Sequence, residues 1–157
     1  MRLTDDEVYA FLDRGREGVL STVGSDGYPY GTPVNYVRIG NRIYFHGSRT
    51  GEKADNISRC VKVCLTVVSA EGFEKTGPAG CNTTALYESV IVRGDVNLID
   101  DHDKKKAVLT ALLAKLTPVR VADGLDDEKV DATEVFEIVP VSATGKCRRP
   151  IPGNPRL

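Results

Sequence analysis

Residues 18–46, GVLSTVGSDGYPYGTPVNYVRIGNRIYFH, decide the fold. Val19, Leu20, Thr22 and Val23 form a short apolar, β-branched run that reads as a strand. Gly24-Ser25-Asp26-Gly27 supplies turn chemistry. Tyr28 to Val37 reads as a second strand, with Pro29 and Pro33 pointing to edge positions or irregularity. Gly40-Asn41 is a second turn, and Arg42 to His46 a third strand. Two short loops joining three strands predict an antiparallel meander.

Outward from this meander the period alternates. On its N-terminal side, Thr4 and Glu7 form a capping box, Leu3 and Val8 a hydrophobic staple, and Gly15 a stop, predicting a helix between them. On its C-terminal side, Thr50 to Arg59 reads as a short helix and Val61 to Val68 as a fourth strand. Residues 70–82 hold three glycines and a proline and read as a loop. Leu86 to Ile99 is a long fifth strand, with Gly94 marking a bulge or bend. Asp100 or Asp101 caps a helix reaching about Leu116. Residues 118–133 are polar and carry no clear period. Glu134 to Val139 alternates as a sixth strand. Residues 1–149 are expected to form one domain and residues 150–157 an irregular Pro-rich tail. Six strands with helices at the periphery argue for a mainly β, closed or partly closed Greek-key barrel.

The chain balances 21 basic against 22 acidic side chains. This gives no electrostatic ground for a nucleic-acid partner. Its apolar runs are short and interrupted by charge, so no membrane span is expected. The first residues lack the apolar core of a signal peptide, which makes cytoplasm the expected location. Cys60, Cys64, Cys81 and Cys147 form no C-x-x-C pair, and free thiols are expected in place of a metal site.

Phosphate-loop, H-E-x-x-H and G-x-S-x-G motifs are all missing. The segment with most chemistry is Tyr44 to Lys53, where a strand ends, small residues follow and a helix begins. Exposed helix-start amides beside a lysine suit an anion such as a phosphate. The same segment also reads as a polar loop with a solvated lysine, and spacing alone leaves both open. Tyr28, Tyr30 and Tyr36 alternate and suit either stacking on a flat ligand or packing in a core or dimer interface. Lys104-Lys105-Lys106 reads as a solvated helix face.

Several stretches, in this order and spacing, resemble the pyridoxamine 5′-phosphate oxidase-like split-barrel superfamily, and within it the nitroimidazole-resistance proteins. They are Gly18–Val23, Gly27–Gly31, Pro33–Tyr36, Tyr44–His46, Lys53 with Asn56-Ile57, Leu86–Gly94 and Thr144–Lys146. The resemblance implies a six-stranded antiparallel split β-barrel with peripheral helices, working as a homodimer with flavin mononucleotide (FMN) between the protomers. It implies that Thr32, Val34 and Asn35 lie along the flavin ring and ribityl chain. His46 and Gly47 match the phosphate side, Lys53 the phosphate-binding lysine, and Ser89 a residue reaching the partner's flavin. Tyr87 is expected to face the substrate. No residue is assigned as catalytic. The superfamily's oxidases carry basic side chains where this chain has Thr32, Val37 and Glu52, which argues against pyridoxamine-phosphate oxidation. The implied activity is an FMN-dependent reductase of small electron-poor molecules such as nitroheterocycles. The alternatives are a flavin- or haem-binding carrier without turnover and, third, a pyridoxal-phosphate carrier.

Overall fold

The computed structural model describes all residues, Met1–Leu157. Strands β1 (Glu17–Val23), β2 (Pro29–Ile39) and β3 (Arg42–Gly47) form the meander, and β4 (Lys62–Lys75), β5 (Thr83–Ile99) and β6 (Glu134–Arg148) form a second one. All neighbouring strands are antiparallel, in the cyclic order β1-β2-β3-β6-β5-β4.

The expectation of a split barrel is corrected here. β4 pairs back onto β1, so the ring of strands is continuous. The closing seam is short: Val19, Leu20 and Ser21 face Thr66, Leu65 and Cys64. Leu20 and Leu65 meet across it, both with no exposed surface. An unpaired backbone edge at so dry a position would leave buried N–H and C=O groups unsatisfied, which favours closure.

The barrel interior is filled by alternate residues of the strands, among them Leu20, Tyr36, Phe45, Val90 and Ile138. Helix α1 (Asp5–Arg14) closes one end with Val8, Phe11 and Leu12, and its capping box is present as read from sequence. Helix α3 (His102–Leu116), capped by Asp101, covers the outer face of β2, β3 and β6. There Val108 and Leu112 pack on Val37, Tyr44 and Val135. Helix α2 (Glu52–Arg59) lies against β1 at the other end of the barrel. Asn56, fully buried, donates from Nδ2 to the Thr22 hydroxyl at 3.1 Å and locks that contact.

Three further elements differ from the sequence reading. The expected loop over residues 70–82 is shorter: residues 70–75 continue β4, and only 76–82 form the loop before β5 starts at Thr83. β6 extends well past Val139 to Arg148, crossing a register shift beside Gly94, where a side chain would strike the Val139 carbonyl. Residues 118–133 contain a 3₁₀ segment, Pro118–Asp123, and a short helix α4, Asp127–Ala132. The tail returns to the hairpin, where Leu157 N–H donates to the Phe73 carbonyl and Lys75 N–H to the Pro155 carbonyl, both at 3.0 Å.

Candidate functional site

The site is built where β3 ends and α2 begins. Gly47 is the last residue of β3, and Ser48 to Gly51 turn the chain into the helix. Gly51 occupies the N-cap position with φ 104°, a backbone that disfavours side chains, and gives α2 no side-chain cap. The first amides of α2 therefore point outward without an intrahelical acceptor.

Lys53 folds back over Gly47. The Lys53 ammonium occupies the space a methyl group at Gly47 would take, so the bare backbone lets it seat there. The ammonium also stands 5.6 Å from the centre of the Phe45 ring. Phe45 stacks on Phe136 with ring centroids 4.9 Å apart, which fixes this floor. The ammonium is half-buried, and no carboxylate lies within salt-bridge distance of it. Burial pushes its pKa below the usual lysine value. His46 is held below the usual histidine range, first by desolvation of its ring and then by the Lys53 charge. Both effects favour the neutral imidazole.

The other expected residues fall into two groups. Thr32, Val34 and Asn35 lie on β2, next to β3. Thr32 Oγ1 is buried without a hydrogen-bond partner. Val34 is in the barrel core, so only its backbone is available to a ligand. Asn35 is exposed and donates to the Arg16 carbonyl at 3.2 Å. His46, Gly47, Lys53, Thr32 and Asn35 thus share one end of the β2–β3 pair. Ser89 and Tyr87 do not join them. They lie on β5, three strands from β2 in either direction round the ring, on the opposite side of the barrel from Thr32 and Asn35. Ser89 and Tyr87 instead lie on a β4–β5 face, with Val68 and Ile91 exposed beside them at 66% and 41%.

Of the three tyrosines, Tyr36 is core: it is fully buried and donates to the Leu12 carbonyl at 2.9 Å. Tyr28 is 74% exposed in the first turn. The sequence reading missed Arg49 and Glu134. Arg49 Nε donates to the almost fully buried Glu134 carboxylate at 2.6 Å, beside Gly47. Eighty-five positions separate the two residues, so no local pattern signals the pair. All four cysteines are free, and no cluster of His, Cys, Asp and Glu is built to hold a metal.

The model of the pyridoxamine 5′-phosphate oxidase family matches residues 4–147. The chain belongs to this family. Among solved structures, a flavocytochrome from Azotobacter vinelandii superposes with a TM-score of 0.82 at 26% identity, covering 94% of this chain and 68% of that one. A 5-nitroimidazole antibiotic resistance protein from Bacteroides thetaiotaomicron gives 0.77 at 22%, covering 92% and 85%. An FAD- and haem-binding protein from Mycobacterium smegmatis gives 0.82 at 19%, covering 94% and 72%. The latter two likenesses are of fold. No curated protein sequence matches. Membership in the pyridoxamine 5′-phosphate oxidase family agrees with the resemblance read from the strand and turn motifs. No helix is long and apolar enough to cross a membrane.

Proposed function

We propose that this protein binds a flavin through its 5′-phosphate, held by Lys53 over Gly47 at the uncapped start of α2, with FMN as the minimal ligand. The observation that carries this is a half-buried ammonium with no anionic partner, seated over the bare backbone of Gly47. The residues present suit such a group: a cation and free helix amides for the phosphate, and the unpartnered Thr32 hydroxyl on β2 for the polar edge of the ligand. A bound flavin supplies one- or two-electron transfer.

The ring lies along β2 and is completed by a second copy of the chain, which contributes Ser89 and Tyr87. Their place across the barrel from β2, and the exposed Val68 and Ile91 around them, a surface suited to burial in a symmetric dimer, support this. Residues 1–149 form the flavin-binding unit. Holding the flavin is the primary role. The side chains gathered here bind and position, and reduction of a small electron-poor molecule such as a nitroheterocycle is the activity a held flavin would bring. Haem is a second reading. It rests on His46 at the edge of a cavity of about 520 Å³ walled by Leu109, Leu112, Leu113 and Leu116. The absorbance spectrum of the purified protein after incubation with FMN or haem separates the two. A perturbed flavin spectrum that persists through gel filtration supports the first reading, and a Soret band alone the second.

A further inference from the structure

The order of strands places β2 on one side of β3 and β6, then β5, on the other. A ligand with its phosphate at the end of β3 and its flavin over β2 leaves the β6–β5 side open. On that side the structure has a cavity of about 550 Å³, within the range of about 300–1,000 Å³ usual for small-molecule sites. Ala54, Ile57 and Ser58 line it from α2, one residue beyond Lys53, and Phe136 and Leu98 line it from the barrel wall. Phe136 is the ring stacked on Phe45 below Lys53, so the cavity adjoins the phosphate position directly.

Two features of this cavity are unexplained by the fold. Leu98 and Val61 both line it and stay 46% and 48% exposed, an apolar surface with nothing packed on it. Arg49 also lines it, two residues past Gly47, with its guanidinium tied to buried Glu134. An arginine oriented in this way by a buried carboxylate presents its remaining N–H groups in a fixed direction, an arrangement suited to a phosphate.

We propose that this cavity is an adenylate subsite, so that the preferred ligand is flavin adenine dinucleotide (FAD) and not FMN. The inference rests on the flavin reading above. Lys53 then serves the phosphate nearer the flavin and Arg49 the second. The apolar wall takes the faces of the adenine, while Ser58 and Asn97 supply a hydroxyl and an amide for its edge.

Calorimetry of the full chain with FAD, FMN and riboflavin tests this. FAD is expected to bind at least about tenfold more tightly than FMN. Ser58→Trp and, separately, Val61→Trp fill the cavity from exposed positions. Each is expected to remove the FAD advantage and leave FMN affinity unchanged. FAD binding no tighter than FMN in the unaltered protein overturns the subsite while leaving the flavin reading intact, as does an FAD preference that survives both substitutions. Failure of all three flavins to bind overturns the flavin reading, and the subsite with it.

Discussion

The lysines of α3 and the lysine of α2 are treated differently by the same small fold. On α3, Lys104 donates to Glu137 at 2.9 Å, Lys106 to Asp127 at 2.7 Å, and buried Lys105 to the Asp131 carbonyl at 2.8 Å. Lys115, at the far end, lies 4.1 Å from the centre of the Tyr36 ring and donates to the Leu12 carbonyl at 3.2 Å. Burial pushes its pKa down to about 8, yet the ammonium keeps a carbonyl acceptor and a ring face. Lys53 on α2 is also half-buried and has no acceptor at all. Desolvating a cation without compensation is costly, so a fold keeps one only where something else completes it. The helix that braces the barrel gives each of its lysines an acceptor, and α2 gives Lys53 none.

Breaking the contrast at Lys53 has the largest expected effect. Lys53→Ala removes one charge-assisted contact worth about 1.5–3 kcal/mol, a ten- to hundredfold loss of FMN affinity. Riboflavin affinity is expected to hold, and the melting temperature of the unliganded protein to hold or rise, because Lys53 makes no ion pair in the fold and its desolvation goes uncompensated. The converse substitution sharpens the contrast. Lys105→Met leaves the Asp131 carbonyl without its donor and is expected to cost about 1 kcal/mol of stability, read by chemical denaturation, with flavin affinity unchanged.

The smallest effect concerns the N-terminal end of α3. His102 hydrogen-bonds Asp131 at 2.6 Å, and Asp131 followed by Asp127 raises its pKa above the ordinary value. A raised histidine pKa stabilises the fold fully below the unfolded value of about 6.5, and this contribution fades as pH climbs through the folded value. The difference in melting temperature between the natural protein and His102→Gln should therefore be greatest below about pH 6.5 and fade as pH climbs above it. A difference that grows with pH would show that the histidine acts through its neutral form.

Much of this was legible in the chain because it is local. The Thr4–Glu7 capping box, the two turns of the first meander and the bend at Gly94 each rest on residues a few positions apart. The motif resemblance names Lys53 and Gly47, but it does not show that one side chain is seated on the other's bare backbone. What escaped is non-local. Three residue pairs, Val19 to Ser21 against Thr66 to Cys64, close the ring, and no period within either strand reports them. The end of β4, residues 70–75, is too polar to look like strand. Its β-structure is supported from the tail, where Ile151 N–H donates to the fully buried Glu74 at 2.6 Å. The second half of β6 contains Pro140 and Gly145 and looks irregular, yet it is held by the long β5 ladder. Tyr36 alternates like its exposed neighbours and was open to a stacking role, whereas a carbonyl on α1 draws its hydroxyl into the core.

The central claim is that a phosphate completes Lys53, and side-by-side calorimetric titration of the unaltered protein with FMN and riboflavin tests it most directly. Both ligands carry the same ring and ribityl chain and differ only in the phosphate. FMN is expected to bind about ten- to hundredfold more tightly, with the advantage shrinking as pH rises through the Lys53 pKa, which lies below the usual lysine value. Equal affinities for the two would contradict the account, because Lys53 would then be an unpaired cation with no phosphate to hold.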